Sequence, residues 1–94
     1  MKYVFLGTID RGWIEPEKAR QRVEQAKSKA DELSIRFETI LYTQGYYDFV
    51  DVVDAPDPRT VLSFSIWYAK QGYGKITTMP AFGESEMLQA VAII

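Results

Sequence analysis

The chain contains no cysteine and no histidine among its 94 residues. Without cysteine there is no disulfide, no thiolate metal ligand and no thiol nucleophile; without histidine the commonest proton shuttle, metal ligand and haem ligand are missing too. A haem enzyme with a histidine axial ligand is excluded, and neither a cofactor nor a metal is expected. An excess of positive charge is also lacking, since 11 Lys and Arg stand against 13 Asp and Glu for a net charge of -2. The basic residues are scattered, which speaks against a nucleic-acid partner. Long apolar runs are missing as well. Tyr3-Val4-Phe5-Leu6 is too short for the apolar part of a secretion signal, and Ala90 to Ile94 falls far short of the roughly 20 residues that span a bilayer. No membrane partner is expected, and a cytoplasmic location is the default.

What is present is the composition of one soluble globular domain over residues 1–94, with 47% hydrophobic and 26% charged residues. A chain of this length buries roughly 60–65% of its unfolded surface, little enough to benefit from a partner.

Lys2 to Thr8 reads as a first strand, apolar on both sides, so both of its faces should be covered. A polar loop from Ile9 to Glu15 leads to Pro16, whose missing N–H suits the first turn of a helix. From Pro16 to about Leu33, the residues Ala19, Val23, Ala26, Ala30 and Leu33 recur at helical spacing as a narrow stripe of mostly small side chains. The charges around them, Arg22 included, read as a solvated face. Ile35 to Thr43 suits an edge strand interrupted by Arg36 and Glu38. A turn at Gln44-Gly45-Tyr46 returns the chain antiparallel into Tyr47 to Asp54, whose alternation suits a pleated strand bounded by Pro56 and Pro58. Asp57 is placed to cap a second helix opened by Pro58, and Val61, Leu62, Phe64, Ile66, Trp67 and Tyr68 predict that it is buried on more than one side. Gly72 and Gly74 stop it. Lys75 to Pro80 supplies a last strand, and Glu84 to Ile94 a short terminal helix carrying Met87, Leu88 and Val91.

Strand, helix, strand, strand, helix, strand is the order of a ferredoxin-like α+β fold, a four-stranded antiparallel sheet with two helices on one face. The facing of the central strand follows from charge. Burying an unpaired carboxylate is costly, so Asp51 should look out from the open face and Val50 and Val52 should meet the helices. Extended to its neighbours, this register gathers Tyr3, Phe5, Arg36, Glu38, Ile40, Tyr42, Phe49, Asp51, Lys75, Thr77 and Met79 on the open face. So aromatic a surface calls for a partner, and a homodimer packing sheet against sheet, or a higher assembly of such dimers, is the expected state.

Gly45-Tyr46-Tyr47-Asp48, the alternating strand and Asp54-Ala55-Pro56-Asp57 resemble the signature of the GYD domain family, with Gly45, Tyr47 and Asp48 as the motif. Gly72-Tyr73-Gly74-Lys75-Ile76-Thr77-Thr78 and Ala81-Phe82 resemble that family's later segments, so the likeness covers most of the chain from Leu33 onward. The first loop departs, because three residues separate Thr8 from Gly12 where the family tends to have two. The resemblance implies a ferredoxin-like domain of the dimeric α+β barrel kind and no established reaction.

Three functions are compatible with these residues. The first is binding of a small apolar or aromatic molecule in a cavity on the open sheet face, by Tyr3, Phe5, Tyr42, Phe49 and Asp51. The second is cofactor-independent catalysis with Asp51 as the proton-transfer group and Tyr47 or Tyr42 as a hydrogen-bond donor, since a carboxylate among aromatic rings has its pKa raised by desolvation. The third is self-association alone, with Asp51 paired to Arg36 or Lys75 across the sheet. Asp48, beside a turn, is expected to satisfy backbone N–H groups. Asp10 and Arg11 read as solvated, Trp67 as core, and Trp13 as either a staple for the first helix or a cover over a pocket mouth. Asp48, Asp51, Asp54 and Asp57 recur every three residues, but in a strand they alternate faces and cannot converge on one ion.

Overall fold

The computed structural model describes residues 1–10 and 15–94. Arg11, Gly12 and Trp13, for which the sequence suggested loop and pocket-mouth roles, lie outside the described residues. The elements follow in the order β1 (Lys2–Gly7), α1 (Pro16–Glu32), β2 (Arg36–Tyr42), β3 (Phe49–Asp54), α2 (Pro58–Lys70), β4 (Ile76–Ala81) and α3 (Glu84–Ile93). The four strands form one antiparallel sheet in the order β2-β3-β1-β4, the ferredoxin-like arrangement.

Local chemistry sets the helix ends. Pro16 opens α1, and Pro58 opens α2 behind Asp57, whose carboxylate accepts the Thr60 amide at 2.8 Å. That bond holds the Asp57 carboxyl below its usual range. α1 stops in a Schellman turn: the Ile35 amide donates to the Ala30 carbonyl, the Ser34 amide to that of Asp31, and Ser34 sits at φ 59.

The facing of β1, β3 and the end of β2 is the reverse of the sequence expectation, whereas Arg36, Thr77 and Met79 lie on the open face as expected. Tyr3, Phe5, Phe49, Asp51 and Val53 point beneath the helices, with Phe5 and Val53 fully excluded from solvent. Their rings pack against α2, where Phe5 stacks on Phe64 at 5.8 Å and Phe49 meets Tyr68 edge-on at 5.9 Å. The register Phe5↔Asp51, Val4↔Val52 and Leu6↔Val50 fixes the opposite parity for the valines. Val50 and Val52, with Val4, Leu6, Leu41, Thr77 and Met79, therefore make up the open face. A bulge at Glu38 in β2 lets Phe37 lie over the core while Ile40 and Tyr42 keep the same side after it.

One residue explains why the cost of burying Asp51 does not decide the facing. Arg22 of α1, assigned from sequence to the solvated face, is only 7% exposed and brings a positive charge to the carboxylate from above. α2 differs as well, since Leu62 and Ile66 are exposed on the side away from Val61, Phe64 and Tyr68. The terminal helix α3 forms as expected but buries none of its residues. Among the described residues no helix is long and apolar enough to cross a membrane.

Candidate functional site

Asp51 and Arg22 both line a cleft between α1 and the β2 side of the sheet. Arg22 arrives there through helical spacing: positions 22, 26 and 30 share one face of α1, and its guanidinium lies over the Phe49 ring, 5.8 Å from the centroid. Its Nη1 donates to the Tyr68 hydroxyl at 3.4 Å, and that hydroxyl donates to the Thr8 carbonyl at 3.2 Å. Burial pushes the Tyr68 phenol up to about 12, so it remains a hydroxyl throughout the neutral range.

Asp51 is 5% exposed, and among the described residues its Oδ1 has no hydrogen-bond partner; the Nε of Arg22 has none either. Burial pushes the Asp51 carboxyl up to about 7, against the pull of the Arg22 guanidinium, which favours the ionised form. The cleft has a volume of about 30 Å³, room for roughly two water molecules. Val23, Ala26, Phe37, Ile40 and Phe49 wall it, with Lys27 and Tyr42 also on its lining. Two polar groups on one cleft lining, one able to donate and one able to gain or lose a proton near neutral pH, thus lie among apolar walls.

Of the five residues expected to bind a ligand, Tyr42, Phe49 and Asp51 line this cleft. Tyr3 and Phe5 are in the closed core. Because their parity is that of Phe49 and Asp51, the five share a face as expected, but it is the one the helices cover, not the open one. Asp51 is paired with neither Arg36 nor Lys75; Arg36 instead reaches Asp54 at 3.5 Å. Arg22 is the residue that sequence reasoning missed. Its signal was its place on the apolar stripe, four residues before Ala26.

The motif residues have structural work. Gly45 adopts φ 148, open to glycine and strained for other residues. Tyr47 offers its carbonyl to the Thr43 hydroxyl at 2.7 Å. The Asp48 carboxylate accepts the Ile9 amide at 2.6 Å while its own amide donates to Gly7, which ties the hairpin to the end of β1. The four regularly spaced aspartates hold four separate positions: Asp48 at this turn, Asp51 in the cleft, Asp54 beside the N-terminal amine, and Asp57 at the cap of α2.

A sheet of this order with its helices on one face defines a ferredoxin-like α+β domain. The GYD domain family model matches residues 3–91, and the chain belongs to that family, whose function is uncharacterised. None of the curated proteins compared with the chain matches it. Among solved structures it is similar to a chain in a crystal structure of the MjSpt4:Spt5 complex, with 12% identity and a TM-score of 0.46. That match covers 97% of this chain and 58% of the other, so this chain spans little more than half the length of the protein it resembles.

Proposed function

We propose that the chain is a self-associating domain that binds a small, largely apolar molecule in the cleft between α1, β2 and β3. The floor of the cleft carries this reading: a carboxylate oxygen of Asp51 and the Nε–H of Arg22, both buried and unpartnered among the described residues, beneath apolar walls. An unsatisfied buried polar atom costs roughly 1–3 kcal/mol. A few convergent polar groups in an apolar concavity are the usual makeup of a ligand site. A molecule with a small polar head and an apolar body satisfies both atoms and displaces water from the walls. Thermal-shift screening of small aliphatic and aromatic compounds tests it, with Ala26→Trp as a variant that fills the cleft. Compounds should raise the wild-type Tm and leave Ala26→Trp unmoved, whereas equal responses, or none in wild type, defeat the reading.

A second reading is cofactor-independent proton transfer by Asp51. It is favoured by one observation, the rise of this carboxyl to about 7, where a general acid or base works well at neutral pH. An Asp51→Asn variant that binds a compound as wild type does but no longer converts it would select this reading over simple binding.

The open sheet face supports self-association. Val4, Leu6, Leu41, Val50, Val52 and Met79 lie together there, bordered at one end by the ion pairs Lys2–Glu38 and Arg36–Asp54. An apolar sheet face carrying charges of both signs along one border is complementary to itself, and a second copy is its proposed occupant.

A further inference from the structure

We infer that the cleft takes a small monocarboxylic acid with an apolar tail, and that binding holds one proton between the ligand's carboxyl and Asp51 while Arg22 balances the remaining charge. The inference rests on the binding role proposed above and names the ligand class. Its basis is the pairing of one unpartnered donor with one unpartnered carboxyl oxygen on the same cleft lining. A carboxyl has two oxygens, and the lining of this one cleft carries two buried polar atoms without a partner among the described residues: the Nε–H of Arg22, which can only donate, and the Oδ1 of Asp51. One ligand oxygen accepts from Arg22. The other shares a proton with Asp51, which either group can supply.

Size and charge narrow the class further. The cleft, about 30 Å³, admits a carboxyl in place of roughly two waters. Val23, Ala26, Phe37 and Ile40 offer no polar partner to the rest of the ligand, which must therefore be apolar. Among the described residues, the other titratable and charged groups around the carboxylate are Lys27 from α1, Tyr42 from β2 and Tyr68 from α2, with Asp48 acting on Tyr68 as well, and no second carboxylate is on the cleft lining. An incoming anion thus meets two cations, Arg22 and Lys27, and one like charge that a proton removes.

The pH dependence follows. At pH 8 Asp51 is mostly ionised and the complex must take up nearly one proton; at pH 6 the proton is already in place. With a midpoint at about 7, the Kd of the acid should tighten about tenfold from pH 8 to pH 6. The matching primary amide is neutral, donates and accepts by itself, and takes up no proton.

Isothermal titration calorimetry on the intact protein tests this with benzoate against benzamide and butyrate against butyramide, each at pH 6 and pH 8 in two buffers of different ionisation enthalpy. The expected result is proton uptake near one per acid at pH 8, about tenfold tighter acid binding at pH 6, and no uptake with the amides. In Asp51→Asn, whose side-chain amide can donate to the ligand, the acids should bind with the pH dependence gone. Acid binding without proton uptake in wild type overturns the inference, and that measurement needs no variant to fold. If other compounds shift the wild-type Tm in a manner that Ala26→Trp abolishes while neither acid binds, the ligand class is wrong and the cleft stands as a binding site. If nothing binds at all, both fail.

Discussion

At the scale of single residues, the molecule turns on a carboxylate held where carboxylates are rarely found. Asp51 lies under the helices because strand parity places Phe5, Phe49 and Val53 there, and Arg22 makes that position tolerable. The consequence is a pH dependence of stability with a defined sign. A carboxyl whose folded-state value lies above its unfolded value holds its proton more tightly when folded, so its contribution is complete below about pH 4 and is lost as the pH rises through about 7. Wild type should lose stability across that window, by on the order of 4 kcal/mol at most at 1.36 kcal/mol per pH unit. Asp54 and Asp57 act in the opposite direction. Their carboxyls are held low, the first chiefly by its hydrogen bond from the N-terminal amine and the second by the Thr60 amide, so their contributions are lost only as the pH falls through those lowered values. Urea unfolding of Asp51→Asn from pH 4 to pH 7 should lack the wild-type slope. An unchanged slope would assign it to another group.

At the scale of elements, topology was legible in the sequence and facing was not. Proline at both helix starts, Asp57 at a cap, glycine after α2 and the turn at Gly45 are local signals, and local signals set the order of elements. Facing was inferred from the charge of Asp51, and that inference assumed no partner in the helix layer. Arg22 supplied one from a position that looked solvated because its neighbours are charged. The Glu38 bulge added a second obstacle, since it changes parity within β2 and leaves no composition signal. Gly7 of β1 offers a test of the facing that stands apart from electrostatics. A methyl group at Gly7 would sit 1.9 Å from the Phe49 ring, within the space the ring occupies. Gly7→Ala should therefore destabilise by about 1–3 kcal/mol or more, and Phe49→Leu in the same chain should recover part of the loss, a coupling that a double-mutant cycle reads. Additive effects would mean that the ring does not cover Gly7.

At the scale of the whole molecule, apolar surfaces outside the core of a single chain include, among the described residues, the open sheet face and α3, with Met87, Leu88 and Val91 all about half exposed. The sequence expectation that a sheet face needs covering still applies: Thr77 and Met79 lie there as expected, while valines and leucines take the place of the expected aromatics. Light scattering should give a dimer or a multiple of it, and Val52→Glu, which places a charge at the centre of the open face, should shift the mass toward the monomer; a monomeric wild type would refute sheet-to-sheet assembly. The cleft, its ligand class and the acid-base role all depend on one fact, that Asp51 is enclosed between α1 and the sheet. The titration of its side-chain carboxyl, followed by carbon NMR in wild type, measures that directly. Enclosure predicts a midpoint at about 7, whereas a midpoint at about 4, the ordinary value for a solvated aspartate, would place Asp51 in water and contradict the account.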